Sequence, residues 1–398
     1  MTTTSDPVPV ATHTAAAARD AAIDRTGWGN PVVLWQPRNA TFWVYLFGVG
    51  YGLWVLAGQI NQGIRLYAPA LAASTVIFGL FAVLFWWFTA RIDRYSRQPL
   101  VLVVAAFVWG GFAAAWAIAL SGNTALISLW GKWFGQSFQM AFGAGLTAPF
   151  FEELGKGSAV LLLLFLAPQV VRTAYDGFIL GAFAGLGFEI IEDISYTLNS
   201  AAEEFGSDQM HASLSTVGLR LLSGFSSHIL YSAVVGAGIV YLVGTVAQRR
   251  RPGLGITLVL TSMVLHGTWD ANIGLSGGNG LLIGGLMFVE ILASFAVVIW
   301  VFNHTVRPER EAMRAVMTPE ADNGVITTEE LDALAGDRKQ RRAYRKAARS
   351  RAERRNRHHR LEAAHDLAGQ LAASAGAETD RVRFARAELA RLRQVPQT

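Results

Sequence analysis

The chain has 398 residues, of which 52% are hydrophobic and only 16% charged, with 40 glycines and 12 tryptophans. That balance argues against a set of soluble domains and for a polytopic membrane protein with tails, and the lack of any cysteine excludes disulfides, thiolate metal ligands and a cysteine nucleophile. The net charge of +5 is a local property: residues 338–360 hold 12 Lys/Arg against one acid, Glu353, a local +11 that leaves the rest of the chain at −6.

Residues 1–40 are rich in Thr and Ala, and no apolar core follows a basic start closely enough for a cleavable signal peptide. The stretch reads as a disordered cytoplasmic leader. A membrane domain is expected over residues 41–303. Its first apolar runs, Thr41–Ile60, Ala68–Ala90 and Leu100–Ser121, are each long enough to cross a hydrocarbon core of roughly 30 Å. Gly122–Ser137 mixes Trp130, Lys132 and Trp133 with small residues, which suits an interfacial or re-entrant segment. Further spans are expected at Met140–Ala167, Ala174–Leu198, Ser223–Ala247, Gly253–Ile273 and Asn279–Phe302, giving an all-α bundle of about eight transmembrane helices. Arg91, Arg94 and Arg97, then Arg172, then Arg249 to Arg251 fall in alternate loops, whereas the loop with Glu203, Glu204 and Asp208 is acidic. The positive-inside rule then puts both termini in the cytoplasm of a multi-pass protein of the cell membrane.

Residues 304–398 read as a basic, helical cytoplasmic tail. Thr327 and Glu330 are spaced for a capping box, Gly336 should interrupt the helix that follows, and 337–373 and 378–393 should be helical. The basic stretch suits docking on anionic lipid, or simply a solvated helix obeying the same charge bias. Tyr344 is its one interleaved aromatic, which argues against nucleic acid as a partner.

The polar residues inside the spans carry the chemistry. Glu152, Glu153 and Lys156 interrupt the apolar fourth span, where an ionised side chain near the bilayer centre costs a few kcal/mol or more. Lys156 lies three and four residues from the two acids and can neutralise one, leaving the other as a base or metal ligand. In the fifth span Glu189, Glu192, Asp193 and Tyr196 fall on one helix face, below a ridge of Gly177, Gly181 and Gly185 that permits close helix approach. His228 stands in the sixth span after Ser226 and Ser227. His266 in the seventh has Asp270 four residues on, placed to accept from the ring and fix its tautomer. Two histidines and a carboxylate could build a zinc site with an open position, although no HExxH motif occurs. Glu290 in the last span is isolated and reads as structural or peripheral.

Glu152-Glu153-x-x-Lys156, Phe188-x-x-x-Glu192-x-x-x-Tyr196, His228 and His266-x-x-x-Asp270 follow one another in an order that resembles the PrsW family of intramembrane proteases, related to the CAAX prenyl-protease and bacteriocin-processing superfamily. The resemblance covers roughly residues 40–303 and leaves out the basic tail. Asp193 departs from it, standing where many relatives have Asn. The resemblance implies a metalloprotease that cleaves membrane proteins such as anti-sigma factors. It also implies Glu152 or Glu153 as base, with Glu192, His228 and His266 holding a divalent metal such as zinc, or water and oxyanion directly. Lys156, Asp193, Tyr196 and Asp270 would support them. No nucleotide or flavin is implied. The competing readings are a proton- or ion-coupled transporter, since intramembrane acids and histidines also form proton relays, and a membrane scaffold acting through its tail. Convergence of the carboxylates and both histidines in one small pocket would favour hydrolysis; residues strung along a channel would favour transport.

Overall fold

The computed structural model describes residues 10–224 and 228–394. Residues 1–9 of the leader, and Ser226 and Ser227 at the head of the expected sixth span, lie outside the described residues. The chain divides into two compact units: Val32–Arg94 with Gln98–Thr305, and Met1–Pro31 with Tyr95–Arg97 and Val306–Thr398. The described residues form helices and no strand.

Among the described residues of the first of these units, each expected span contains a helix. Helix α2 covers Ala40–Leu66, where the Asn39 side chain accepts the free N–H of Thr41. Helix α3 covers Ala68–Ile92 and α4 covers Leu100–Phe134. Of the two expectations for Gly122–Ser137, interfacial or re-entrant, the re-entrant one gives way here: α4 stays helical through Trp130 and Lys132 to Phe134, and ends at Gly135, whose φ of +88° a side chain would resist. Its middle, Trp109–Ala119, is wound in wider i→i+5 turns. After a second wide turn at Gln139–Gly143 come α5 (Ala144–Leu166), α6 (Ala174–Glu203), α7 (Gln209–Ser223), α8 (His228–Val243), α9 (Pro252–Asp270) and α10 (Gly280–Asp322). Among the described residues four helices, α2, α3, α4 and α10, are long and apolar enough to cross a membrane. The remaining four expected spans, α5, α6, α8 and α9, are the shorter or more polar ones that carry the ionisable residues. The acidic loop Glu203–Asp208 leads into α7, an amphipathic helix that the apolar pattern does not single out.

Helix α6 is the axis of this unit. A capping box of Thr173 and Asp176 starts it, and its first 17 residues, Ala174 to Ile190, are all buried. Its glycine ridge meets α8 backbone to backbone. A Cβ at Gly181 would lie 2.1 Å from the Ser232 carbonyl oxygen, and one at Gly177 would lie 2.4 Å from that of Gly236. Only glycine allows that approach, in which packing and not apolar transfer holds helices together within lipid. The three basic loops gather at one end of the unit. Tyr175 donates to the Ile92 carbonyl at 2.7 Å, Thr245 donates to the Arg172 carbonyl, and Gln98 donates to Asp176 at 2.6 Å.

The second unit is built from α1 (Val10–Thr26), the end of α10, and α11 (Thr328–Ala335), α12 (Arg338–Lys346), α13 (Arg351–Ala373) and α14 (Asp380–Gln394). The expectation of a disordered leader differs here from the structure, which has a helix with Ala22 and Ile23 buried. The Thr327–Glu330 capping box forms as its spacing predicts, and α11 stops at Gly336. Leu367, Leu371, Val382 and Leu389 are fully buried between α13 and α14. Buried acids consume part of the basic charge. Glu330 takes Arg393 at 2.9 Å and also pairs with Arg360, and Glu320 takes Arg386 at 2.7 Å.

Candidate active site

Two local features bring the polar helices together. Pro149 has no N–H to give to the Gly145 carbonyl, and at that level α5 and α9 touch through glycines. A Cβ at Gly145 would lie 2.5 Å from the Gly267 carbonyl oxygen, and one at Gly267 would lie 2.6 Å from that of Gly145. Glu153 on α5 thereby reaches His266 on α9. On the other side, a Cβ at Gly185 of α6 would meet the His228 carbonyl oxygen at 2.4 Å, so the start of α8 lies against the acidic face of α6. The backbone N–H of His228, one of the helix-end donors with no partner in its own helix, donates to Glu189 Oε2 at 3.2 Å.

Each histidine is held by a carboxylate, and each carboxylate by a cation. His266 Nδ1 lies 2.9 Å from Glu153 Oε1, which is 2.7 Å from the Lys156 ammonium. His228 Nε2 lies 2.9 Å from Glu192 Oε2, to which Arg220 donates at 2.8 Å. An ionised carboxylate can only accept, so the ring protons sit on Nδ1 of His266 and Nε2 of His228. The lone pairs on the opposite ring nitrogens then face inward. His228 Nδ1 is 3.7 Å and His266 Nε2 3.6 Å from Glu152 Oε2. Lys156 also reaches His228 Nδ1 at 2.7 Å and lies over the Phe188 ring at 4.4 Å. Asn123, from α4, donates to Glu152 Oε1 at 2.9 Å and so turns Oε2 toward the imidazoles. Tyr231 stacks on His266 with ring centroids 5.4 Å apart.

Glu152, His228 and His266 are all buried, and one ligand atom from each lies within 4.8 Å of the others. Among the described residues Glu152 Oε2 is enclosed without a hydrogen-bond partner, with the Lys156 ammonium 3.7 Å away, a costly setting for a carboxylate that a closer cation would relieve. The charges point the same way. Glu152, Glu153, Glu189, Glu192, Asp193 and Asp270 crowd around two fixed cations, Lys156 and Arg220. A carboxylate and two imidazole nitrogens, with room for a further ligand, are a donor set that fits a catalytic zinc-type ion, which would take over the His228 Nδ1 lone pair from the Lys156 ammonium. A cavity of about 580 Å³ opens over the trio, walled by Trp116, Ala119 and Asn123 on one side and by Glu192 and Tyr196 on the other.

The structure brings the expected residues to one point and rearranges their partners. Glu192 does not complete the trio; it lies on the outer nitrogen of His228, and Glu152 takes the inner place. The carboxylate that orients His266 is Glu153 from another helix at 2.9 Å, while Asp270 stands 3.4 Å from Nε2 on the cavity side. Glu153 is fully buried behind His266 and outside the cavity wall, a poor position for a base. Lys156 contacts both acids of the pair, as their spacing predicts. Asp193 pairs with Arg220, and Tyr196 lies under the guanidinium with its ring centroid 4.6 Å away. Glu290 stays peripheral, accepting from Thr268 and from Asn272 at 3.4 Å. Sequence reasoning misses Asn123 and Arg220; a lone Arg within Leu219-Arg220-Leu221-Leu222 was the available signal for the second.

The ionisable groups therefore converge instead of lining a path. A family model described as PrsW family intramembrane metalloprotease matches residues 98–302, about half the chain and all of the residues just described. Protease PrsW of Clostridioides difficile (strain 630) is 22% identical over 233 residues, 58% of this chain and 87% of that relative. No solved structure matches. The chain belongs to the PrsW family of intramembrane metalloproteases.

Proposed function

We propose that this membrane protease hydrolyses peptide bonds of membrane-anchored proteins at the point where Glu152, His228 and His266 meet. The observation that carries this is the convergence of the enclosed Glu152 Oε2 with His228 Nδ1 at 3.7 Å and His266 Nε2 at 3.6 Å. These three residues would hold a divalent ion of the zinc type, which when bound polarises a peptide carbonyl and lowers the pKa of water. The remaining work falls to the chain. Glu153 and Glu192 keep the two rings aimed. Asp270, a cavity-lining carboxylate beside His266 Nε2, takes the proton of the attacking water and returns it to the leaving nitrogen. The polar wall of Asn123, Ser195 and Asn199 gives water a route in and partners for the backbone of an unwound substrate.

Eight crossings with both termini in the cytoplasm of the cell membrane fit the gathering of the three basic loops at one end. The exposed Arg338, Lys339, Arg342, Lys346, Arg354 and Arg355 would meet anionic lipid headgroups. A single-span substrate, an anti-sigma factor for instance, follows from the family resemblance. The test is cleavage of candidate single-span proteins in proteoliposomes by wild type and by Glu152→Ala, His228→Ala and His266→Ala. Each variant should lose at least about 100-fold in kcat/KM while keeping its elution and melting profile; near-wild-type cleavage by folded variants would falsify the site.

A further inference from the structure

The cation that pairs with Glu192, the carboxylate on the outer nitrogen of His228, comes from α7. Arg220 donates through Nη2 to Glu192 at 2.8 Å and through Nε to Asp193, and the same Nη2 lies 4.0 Å from Glu189. Glu192 Oε2 is the same atom that meets His228 Nε2 at 2.9 Å. Arg220 does not touch the trio. It fixes the position of the carboxylate that aims His228, as Lys156 does through Glu153 for His266. On the His266 side the cation and carboxylate share one helix three residues apart. On the His228 side they sit on different helices, so the arrangement depends on where α7 packs.

We propose that Arg220 is a positioning residue for the metal centre: by clamping Glu192 and Asp193 together it holds Glu192 on Nε2 of His228 and keeps Nδ1 aimed at Glu152 and His266. The planar fork of arginine does this with two donors of fixed angle, which the single ammonium of lysine cannot reproduce. The cavity-lining place of Arg220 offers a different role, direct contact with substrate, and the test separates the two.

The proposal rests on the reading of Glu152, His228 and His266 as the ion-holding residues, and His228→Ala serves as the check on that reading. Full-length protein in detergent would be titrated with zinc against a chromophoric chelator, and kcat and KM would be measured on a single-span substrate, for Arg220→Gln, Arg220→Lys, Glu192→Gln and the double variant Arg220→Gln/Glu192→Gln. Loss of an orienting partner typically costs about 10–100-fold in metal affinity or activity. Arg220→Gln and Arg220→Lys should each lose about 10-fold or more in zinc affinity and kcat with KM within about twofold of wild type. In the Glu192→Gln background Arg220→Gln should cost no more than about twofold, because the residue it acts through is already disabled. If His228→Ala loses zinc but the Arg220 variants bind it as wild type does, the proposal is overturned and the site stands. Equal losses from Arg220→Gln in both backgrounds, or a rise in KM with kcat unchanged, would overturn it in favour of folding or substrate contact. Arg220→Lys keeps the charge among three acids, so it supplies a folded variant if Arg220→Gln does not fold.

Discussion

Lys156 is the residue on which the buried charge balance turns. Its side chain is fully buried and serves Glu153 at 2.7 Å, His228 at 2.7 Å and Glu152 at 3.7 Å. Removing one partner of a buried ion pair leaves an uncompensated charge and costs about 3–5 kcal/mol. We therefore expect Lys156→Met to unfold at markedly lower denaturant in SDS titrations, while an exposed change such as Lys339→Met leaves the midpoint unmoved. Asp270 behaves differently because it faces the cavity and is 24% exposed. Asp270→Asn should keep its metal and its melting profile but lose roughly 10²–10⁴ in kcat, measured under single-turnover conditions. Retained turnover in that variant would pass the role of base to another carboxylate. At this scale the sequence was partly legible. Glu152, Glu153 and Lys156 could be paired from helical spacing alone. The pairing of His266 could not, since Asp270 at i+4 competes with Glu153 from a different helix and the distance to Glu153 is shorter. Arg220 was hidden because its partners stand 27 and 28 residues away.

The elements show why apolar pattern suffices for the helices and fails for their interruptions. Among the described residues each expected span holds a helix, as a backbone in hydrocarbon must satisfy its own hydrogen bonds. The wide turns at Trp109–Ala119 left no mark in the sequence, and Trp130 with Lys132 suggested a break where the helix simply continues. The glycine ridge of α6 was legible as packing, though not what it packs against. It has a testable consequence for function, since Gly185 abuts the residue that carries the histidine. Gly185→Ala would put a Cβ 2.4 Å from the His228 carbonyl oxygen and must push α8 away. Gly218→Ala on α7 meets nothing within 4 Å and adds helix propensity. We expect the first to lower zinc affinity and kcat by at least about tenfold, and the second to leave both unchanged with equal or greater stability. Equal behaviour of the two variants would show that the helix contact does not position the site.

For the molecule in its membrane, the charged loops set the expectation. The lack of native cysteine makes it accessible to labelling. Single cysteines at Ser207, in the acidic loop, and at Val246, 87% exposed in a basic one, should react with an impermeant maleimide from opposite sides of a sealed vesicle. Labelling of both from one side would overturn the topology. Helical rise puts Glu192 about 27 Å along α6 from Ala174 at the basic end, so on the proposed topology the centre would lie in the half of the bilayer away from the cytoplasm. The second unit lies beyond the family match, and only the helices after Pro308, not α1 or the packing, were legible from composition. The most direct measurement for the whole reading is the number of divalent ions bound per chain in wild type, His228→Ala and His266→Ala after equilibration with zinc. We expect one tightly bound ion in the first and none in the other two, with proteolysis following occupancy. Full occupancy of His266→Ala, or full activity in metal-free wild type, would contradict a metal centre at Glu152, His228 and His266.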